Sequence, residues 1–241
     1  MLKTELKLDY TLNQPTEKVP VIVVAAGSSL RMKGTNKQLL ELGGIPVIIR
    51  TLRAFEDCDG ISNIILVVKT EDLFQFQMLC EKYNISKLSD IVCGGATRQE
   101  SVLNGFKKLP RNTEKVLIHD GARPFVTGAL ICSVIKALDS FDAAGCAVKL
   151  KDTIKQIDIN GQVLRTVPRE DLVAIQTPQG VWVKKYLKAC ENADVALFTD
   201  DTSIMEAVGY KVCIVEGSYK NIKITTREDI ALAKSFLSEE D

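Results

Sequence analysis

The chain has 241 residues, of which 46% are hydrophobic, and this is enough for one large α/β domain with a substantial core. Lysine and arginine together number 31, as do aspartate and glutamate, so no net charge draws the whole molecule toward nucleic acid or an anionic membrane. Any anion site must therefore be local, and neither nucleic acid nor a membrane is an expected partner.

Strands and helices alternate along nearly the whole chain. The first strand is a continuous apolar, β-branched run over residues 19–26, typical of a strand buried on both faces of a parallel sheet. Further strands are predicted over residues 64–68, 90–93, 116–119, 145–148 and 211–215. Helical periodicity occurs over residues 47–55, 72–83, 98–109, 130–138, 184–192, 201–208 and 227–236.

This alternation predicts an α/β fold with a doubly wound, mostly parallel sheet of the nucleotide-binding, Rossmann-like kind. We expect a polar lead over residues 1–18 and a single domain over residues 19–241. Two helix starts are marked by a threonine three residues before an acid, at Thr97 with Glu100 and at Thr226 with Asp229. Ligands of such folds bind beyond the carboxyl ends of the strands, where polar clusters should converge.

One segment interrupts the alternation. Residues 151–168 resemble two short alternating strands around Asn160-Gly161, a dipeptide that suits a type I′ hairpin turn. We interpret this segment, from about residue 150 to about residue 170, as a β-arm that leaves the core. Because an isolated hairpin is only marginally stable in water, a second copy of the chain is the simplest partner for it. The sequence thus predicts a homodimer formed through the arm.

The cysteines indicate a reducing compartment. There are seven, an odd number, with no C-x-x-C pair and mostly inside apolar runs, as expected of buried thiols. Residues 1–18 lack the apolar stretch of a signal peptide, and no later run is long and apolar enough to span a bilayer. We therefore expect a cytoplasmic protein.

The first candidate site follows the first strand. Small residues from Ala25 to Ser29 would let backbone amides approach a phosphate, and Arg31 and Lys37 add positive charge. The loop is neither a Walker A motif nor G-x-G-x-x-G, since no Gly-Lys-Ser/Thr follows and Ser29 takes the place of the second glycine. An ordinary strand-to-helix turn with two solvated cations is the alternative.

Two further strand ends carry polar clusters. Residues 94–101 hold a glycine pair that would admit a base or ribose, before a helix start that favours an anion; a capped helix with a flexible lead is the alternative. At the tip of a later apolar strand, Asp120 is either a Mg²⁺ ligand or the cap of the next turn. His119, the only histidine, is expected to pack within the strand.

The residue types favour phosphoryl or nucleotidyl transfer. One histidine, with no Ser/His/Asp or Cys/His set, argues against acyl transfer and against zinc sites built on several histidines. An acceptor that is already a phosphate is anionic, so cations and a metal suffice to hold the groups in line. Lys223, inside an apolar run, needs an anionic partner if buried, and it is a better candidate than Asp201, which suits helix capping.

Taken together in this order, the motifs resemble the 2-C-methyl-D-erythritol 4-phosphate cytidylyltransferase family of the non-mevalonate isoprenoid pathway. The resemblance runs from about residue 19 to the C-terminus and rests on the A-A-G loop with Arg31-Met32 and Lys37, G-G-x-x-R-x-x-S, residues 119–124, Gln-Thr-Pro-Gln at 176–179, Thr199-Asp200 and Asn221-Ile-Lys223. It implies an enzyme that transfers CMP from CTP to the small phosphorylated alcohol 2-C-methyl-D-erythritol 4-phosphate, releases pyrophosphate, and uses Mg²⁺ or another divalent cation.

The resemblance also implies a role for each candidate residue. Those that would meet the nucleotide are Ala25, Ala26, Gly27, Gly95 and Ser101. Those that would hold the triphosphate or stabilise the transition state are Arg31, Lys37 and Lys223. Those that would contact the acceptor are Arg123, Thr153, Arg169 and Thr199, with Thr153 and Arg169 on or beside an arm that crosses to the partner subunit. Asp120 would bind the metal.

Three positions depart from the family pattern. They are Ser29, Asn36 and Leu39, where glycine, proline and an aromatic residue are usual, and they affect the rigidity of the phosphate loop but not its charge. The related ribitol 5-phosphate cytidylyltransferase family shares the loop and the fold and is the alternative. Gly121-Ala122 and the compact connection before the arm are more similar to the methylerythritol enzyme, while a Rossmann oxidoreductase or a non-catalytic binding module is more distant. The acceptor rests on the resemblance alone.

Overall fold

A seven-stranded sheet with helices on both faces forms the centre of the computed structural model, which describes residues 17–27, 36–193 and 198–238. Its strands are β1 (Val19–Val24), β4 (Ile61–Val68), β5 (Leu88–Cys93), β6 (Lys115–Asp120), β7 (Ala143–Lys149), β10 (Val173–Trp182) and β11 (Val212–Glu216). Two separate two-stranded sheets are formed by β2 (Glu41–Leu42) with β3 (Ile45–Pro46) and by β8 (Ile154–Ile157) with β9 (Val163–Val167). The helices are α1 (Val47–Glu56), α2 (Leu73–Lys82), α3 (Arg98–Phe106), α4 (Gly128–Ala137), α5 (Val183–Asn192), α6 (Asp201–Ala207) and α7 (Arg227–Ser238). Within the described ranges, no helix has the length and apolar character needed to cross a membrane.

The strands of the large sheet run mostly parallel, in the order β11-β7-β10-β6-β1-β4-β5. β10 is antiparallel to both of its neighbours, and the other neighbouring pairs are parallel. The mostly parallel, doubly wound α/β fold predicted from the sequence is therefore confirmed. Because β1, β4, β5 and β6 point the same way, the chain leaves all four at one edge of the sheet, where the next residues are Ala25, Lys69, Gly94 and Gly121.

The alternation of side chains along β1 explains why helices cover both faces of the sheet. Val21 and Val23 pack on one side, in a cluster that also holds residues of α1, α2 and α4. Ile22 packs on the other side, with residues of α3, α5 and α6. Since both faces of the strand are buried, its sequence is an unbroken apolar run.

Both predicted threonine caps are present. Thr97 Oγ1 accepts the amide of Glu100 at 3.1 Å at the start of α3. Before α7, Thr226 Oγ1 accepts the amide of Asp229 at 3.4 Å, and the amide of Thr226 donates to the Asp229 carboxylate at 2.8 Å. These reciprocal bonds satisfy amides that the first helical turn leaves without partners.

The central antiparallel strand β10 is not among the strands predicted from the sequence. It contains Pro178 and Gly180, and its register against β7 shifts between Ile175 and Gln179. Proline cannot donate to a sheet ladder, and glycine has low strand propensity, so the periodicity of a strand is hidden here. The strand nevertheless brings the Gln-Thr-Pro-Gln motif beside the end of β6.

The strands β8 and β9 form a separate two-stranded sheet, which is the predicted arm. Its turn differs from the prediction, because a type I′ turn needs positive φ at both central residues. Gly161 has a φ of 82°, but Asn160 is not among the described residues with positive φ. The Asp158 carboxylate accepts the amides of Asn160 and Gln162, at 2.9 and 2.8 Å, and stabilises a longer turn. The type I′ prediction was therefore wrong.

A short hairpin of β2 and β3 was also not predicted. Its loop is Gly43-Gly44, with φ values of 57° and 73°, as a two-residue type I′ turn requires. Leu42 at its base is fully buried in a small cluster with Val47 of α1 and Ala233 of α7. The glycine pair is a hairpin signal in the sequence. Each flanking strand has only two residues, too few to show an alternating pattern that would support the prediction.

Candidate active site

A cavity of about 520 Å³ opens at the edge of the sheet where β1, β4, β5 and β6 end. This is the position at which doubly wound folds bind their ligands. The sequence-predicted site residues that line it are Ala26, Gly27, Lys37, Gly95, Ser101, Asp120 and Lys223. A cavity of about 600 Å³ between α2 and β5 includes Glu81 and Asp90 but no lysine or arginine among its described lining residues, so it does not suit a phosphate.

The loops after β1 and β5 pack tightly against each other. A Cβ atom on Gly94 would lie 2.4 Å from the Cβ of Ala26 and 2.9 Å from Ser101 Oγ, so only glycine allows this approach. The amide of Gly95 donates to Ser101 Oγ at 3.0 Å, and the Ser101 hydroxyl donates to the Thr97 carbonyl at 2.9 Å. Hydrogen bonds thus fix the residues at the start of α3 that were predicted to meet the nucleotide.

The predicted phosphate loop is described only at its two ends. Ala25 is buried, and its amide donates to the Val67 carbonyl at 2.7 Å, so Ala26 and Gly27 face the cavity while Ala25 supports them from the core. Lys37 lies on the cavity wall. Arg31, the other predicted cation of this loop, lies outside the described residues.

Asp120, the last residue of β6, lies among three cations. Lys223 Nζ is 2.8 Å from Oδ2, Arg123 Nε is 3.6 Å from the same oxygen, and Arg98 Nε is 3.6 Å from Oδ1. Burial raises the pKa of the carboxyl, but Lys223, Arg98 and Arg123 outweigh it and hold the pKa of Asp120 well below its ordinary range. The carboxylate is therefore ionised at neutral pH.

Asp120 offers one ionised carboxylate to a divalent cation. In the described part of the chain, no three histidine, cysteine, aspartate or glutamate side chains are grouped as a metal site. Mg²⁺ commonly takes one or two carboxylates and completes its shell with water and phosphate oxygens. The residues present thus fit a metal that arrives with a polyphosphate, rather than one that the protein holds alone.

His119 supports Asp120 from within the core. Its ring packs edge-on against Phe55 with 4.9 Å between centroids. Nε2 is 3.3 Å from the Arg123 carbonyl, and because a carbonyl only accepts, Nε2 carries the proton. Nδ1 then accepts from the Thr177 hydroxyl at 3.1 Å, and that hydroxyl accepts the amide of Asp120 at 3.0 Å. Burial lowers the pKa of His119 to about 3, so it is neutral, and its fully buried position confirms the predicted packing.

The segment before α7 carries Lys223 to Asp120. Asn221 Nδ2 donates to the Thr177 carbonyl at 2.9 Å, and the Asn221 carbonyl accepts from Arg123 Nη1 at 2.7 Å. One residue beyond Lys223, the next amide donates to the carbonyl of Ala122 at 2.9 Å. Lys223 is held between these anchors, and its side chain remains 39% exposed. The partly buried lysine has the anionic partner, Asp120, that burial of its charge would require.

A second buried acid reaches the site through Arg98. Asp201, fully buried at the start of α6, accepts from Arg98 Nη2 and from the Tyr186 hydroxyl, each at 2.7 Å. The helix cap is its neighbour Asp200, whose carboxylate accepts the amide of Ser203 at 3.0 Å. The expectation that Asp201 serves the helix start as a cap was therefore wrong, because Asp200 fills that role.

The predicted acceptor contacts do not lie on the cavity. Arg123 is buried behind Asp120, and Thr199 is exposed in the segment before α6. Thr153 and Arg169 are exposed on and beside the arm, where Arg169 Nη1 donates to the carbonyl of Lys151. Among the described residues that line the cavity, none comes from the arm. One copy of the described chain does not bring the arm to its own cavity.

Three polar or charged residues that line the cavity were given no role from the sequence. Lys69 directly follows β4, and its place after a buried strand was a signal that could have found it. Gln38 is only 2% exposed, and its Oε1 is buried without a hydrogen-bond partner. Arg98 stood within a quoted motif, but its pairing with Asp201, 103 positions away, leaves no local pattern.

Comparison with known proteins gives one consistent result. The family model for 2-C-methyl-D-erythritol 4-phosphate cytidylyltransferase matches residues 19–239. A protein of that name from Bacillus mycoides is 46% identical over 220 residues, which cover 90% of this chain and 96% of the relative. Another from Halalkalibacterium halodurans is 44% identical over 225 residues, covering 92% and 97%.

A solved structure shares the fold as well as the sequence. The 4-diphosphocytidyl-2C-methyl-D-erythritol synthase from Anaerococcus prevotii superposes with a TM-score of 0.81 at 37% identity. The match covers 92% of this chain and 96% of that structure. The similarity therefore extends over nearly the whole length of both chains.

The protonation state of His119 can be measured without ambiguity, since the chain has one histidine. We expect the imidazole ¹⁵N signals to show the neutral Nε2–H form, with no titration from about pH 8 to about pH 5. The unfolded chain takes up this proton near pH 6.5 and the folded chain only near pH 3. Stability should therefore fall as pH decreases through that window, by up to about 1.4 kcal/mol per pH unit. A folded-state midpoint near 6.5 would contradict the buried neutral form.

Proposed function

The chain belongs to the 2-C-methyl-D-erythritol 4-phosphate cytidylyltransferase family, and from this premise we propose how its residues carry out the reaction. The enzyme transfers the cytidylyl group of CTP to 2-C-methyl-D-erythritol 4-phosphate, a step of isoprenoid precursor biosynthesis, and releases pyrophosphate. The observation that carries the proposed mechanism is the cavity at the ends of four strands, where one ionised carboxylate lies among lysines and arginines.

The loops after β1 and β5 form the proposed nucleotide subsite. Ala26 and Gly27 present backbone to the triphosphate, with Ala25 behind them, and Lys37 on the cavity wall neutralises its charge. We assign Arg31 to the same triphosphate from the family motif. Gly95 and Ser101 also line the cavity, and we assign them to the cytidine.

The acceptor needs no general base. Its phosphate is anionic at neutral pH, so a phosphate oxygen attacks the α-phosphorus of CTP while the bond to the pyrophosphate oxygen breaks in line. His119 is neutral and buried, so it is not placed to transfer a proton in this step. Lys37 and Lys223 place positive charge where negative charge develops, and losing one such donor costs roughly 10²–10³ in rate.

Asp120 is the proposed ligand for Mg²⁺ or another divalent cation. A bound metal would neutralise phosphate oxygens and help to hold the reacting groups in line. The chain contributes a carboxylate that three cations keep ionised, so the ligand is ready to bind without losing a proton. The same residue also orients Lys223.

The arm is proposed to join two copies of the chain in a closed dimer. The exposed large apolar side chains on and beside it are Ile157, Ile159, Val163, Leu164 and Val173. Such a patch marks an interaction surface, and a two-fold dimer covers both arms with one kind of contact. In this arrangement Thr153 and Arg169 of one copy meet the acceptor in the other, where the exposed Thr199 adds a contact and the buried Arg123 acts from behind Asp120.

The cytoplasm is the proposed location. Cys58 and Cys132 are free thiols, and their sulfurs are only 3.8 Å apart. Burial raises the pKa of Cys132 to about 11, so this thiol stays protonated and unreactive near neutral pH. Free neighbouring thiols of this kind are consistent with a reducing compartment.

Pyrophosphate release tests the reaction and its acceptor. We expect release with CTP and 2-C-methyl-D-erythritol 4-phosphate, and a kcat/KM lower by at least about tenfold with ribitol 5-phosphate, because a site that hydrogen-bonds one alcohol leaves buried polar groups unpaired with another. A chelator in excess should abolish the activity, and added Mg²⁺ should restore it. Equal rates with both alcohols would contradict the acceptor, and activity that survives the chelator would contradict the metal.

Mixed dimers test whether the active site is shared. Lys37→Ala and Arg169→Ala proteins should each be nearly inactive. When the two are refolded together in equal amounts, half of the dimers are mixed, and each mixed dimer holds one site with both side chains intact. Activity should therefore return to roughly a quarter of the wild-type level.

A matched mixture provides the control for this experiment. Lys37 and Lys223 line the same cavity of one copy, so Lys37→Ala mixed with Lys223→Ala should stay inactive, since every site then carries one lesion. If the Lys37→Ala and Arg169→Ala mixture also stays inactive while subunit exchange is demonstrated, Arg169 serves its own subunit and the shared site is refuted.

A further inference from the structure

Asp201 is fully buried, and both of its carboxylate oxygens are engaged. Oδ1 accepts from the Tyr186 hydroxyl and Oδ2 from Arg98 Nη2, each at 2.7 Å. Its backbone amide donates to Gln179 Oε1 at 2.8 Å. The α6 start does not need this acid for capping, because Asp200 performs that task. The presence of the Asp201 charge in the core therefore calls for another explanation.

Stability is a weak explanation for such a buried pair. Removing an aspartate and an arginine from water is costly, and apolar replacements for a buried ion pair are often neutral or stabilising. Both members lie on short stretches at helix starts, Asp201 on α6 and Arg98 on α3. The pair joins α3, which lines the cavity, to α6, which comes from a distant part of the chain.

Arg98 connects Asp201 to Asp120. Its Nη2 is 2.7 Å from Asp201, and its Nε is 3.6 Å from Asp120 Oδ1. Its third nitrogen, Nη1, is buried without a hydrogen-bond partner. The two carboxylates thus orient the guanidinium, although one of its nitrogens makes no hydrogen bond. Its rigid, planar shape suits this bridging role.

The next residue of α3 reinforces this connection. Gln99 Nε2 donates to the carbonyl of Phe198 at 2.5 Å, so two consecutive side chains hold the segment that leads into α6. That segment carries Thr199, proposed above for the acceptor, while α3 carries Ser101, proposed for the nucleotide. The contacts of Arg98 and Gln99 therefore lie at the junction of the two subsites.

We propose that Asp201 is a positioning residue: through Arg98 it fixes the carboxylate of Asp120, and with it Lys223, at the junction of the nucleotide and acceptor subsites. This inference rests on the cytidylyl transfer proposed above. Arg98 lines the cavity, whereas Asp201 is not among the described lining residues, so Asp201 acts on the geometry of the reacting groups. Small errors in that geometry lower kcat while leaving nucleotide binding nearly intact.

The central test is Asp201→Asn, a nearly isosteric change that removes the charge facing Arg98. We expect kcat to fall roughly 10- to 100-fold, the usual effect of losing a side chain that orients a functional group from behind. The dissociation constant for CTP, measured by calorimetry without acceptor, should change by less than about threefold, because the variant leaves the cavity lining unaltered.

Two controls separate positioning from stability. Tyr186→Phe removes the other hydrogen bond of the same carboxylate, so it should lower the melting temperature yet keep kcat within about twofold of the wild type. Asp200→Asn makes the same charge change one residue away and preserves the cap, so it should also keep its kcat. Loss of kcat in Asp201→Asn that Tyr186→Phe matches at equal melting temperature would overturn the proposal.

Arg98→Lys keeps the test decisive if Asp201→Asn fails to melt cooperatively. Lysine retains the cation but cannot bridge two carboxylates, so it should reproduce the kcat loss. Where both single variants fold, the double variant should be little worse than either one, since the residues act in series. A wild-type kcat in Arg98→Lys would refute the inference, whereas wild-type protein inactive with CTP in the same assay would refute the proposed function instead.

Discussion

The carboxylate of Asp120 is the point on which the charged groups of the site converge. Its side chain is 11% exposed, so its attraction to nearby cations is screened less than that of a surface ion pair. The three cations come from separate parts of the chain: Arg98 from α3, Arg123 from the loop after β6, and Lys223 from the segment before α7. One acid thus holds three elements together and still leaves an excess of positive charge for a polyphosphate.

The fold explains how these elements meet. Four parallel strands end at one edge of the sheet, and each delivers a loop to the cavity. The antiparallel strand β10 adds Thr177, whose hydroxyl accepts the amide of Asp120 and donates to His119. The residue that anchors the cations is therefore itself fixed on its backbone side by a threonine hydroxyl, which a buried, neutral histidine orients. Packing, hydrogen bonding and charge all restrict the same carboxylate.

Much of this arrangement could be predicted from the sequence, because it depends on local patterns. Unbroken apolar runs marked β1 and β6, and small or charged residues just after them marked the cavity. The strand β10 was not predicted because proline and glycine obscure its periodicity. The role of Asp201 was not predicted because its partner Arg98 is distant in sequence. The arm was found from its alternation, but the turn at Asn160-Gly161 was misassigned because the Asp158 side chain captures the local amides.

The central claim is that burial makes the Asp120 cluster a structural anchor as well as a catalytic one, and denaturant unfolding of Asp120→Asn without ligands tests it most directly. Removing the charge leaves three neighbouring cations without their shared partner, so we expect a loss on the order of 3 kcal/mol. Asp139→Asn is the control: Asp139 is only 2.7 Å from Lys115, but its side chain is 63% exposed and the buried Lys115 keeps Glu17 at 3.5 Å, so the expected loss is about 1 kcal/mol or less. A loss for Asp120→Asn no greater than that for Asp139→Asn would contradict the account.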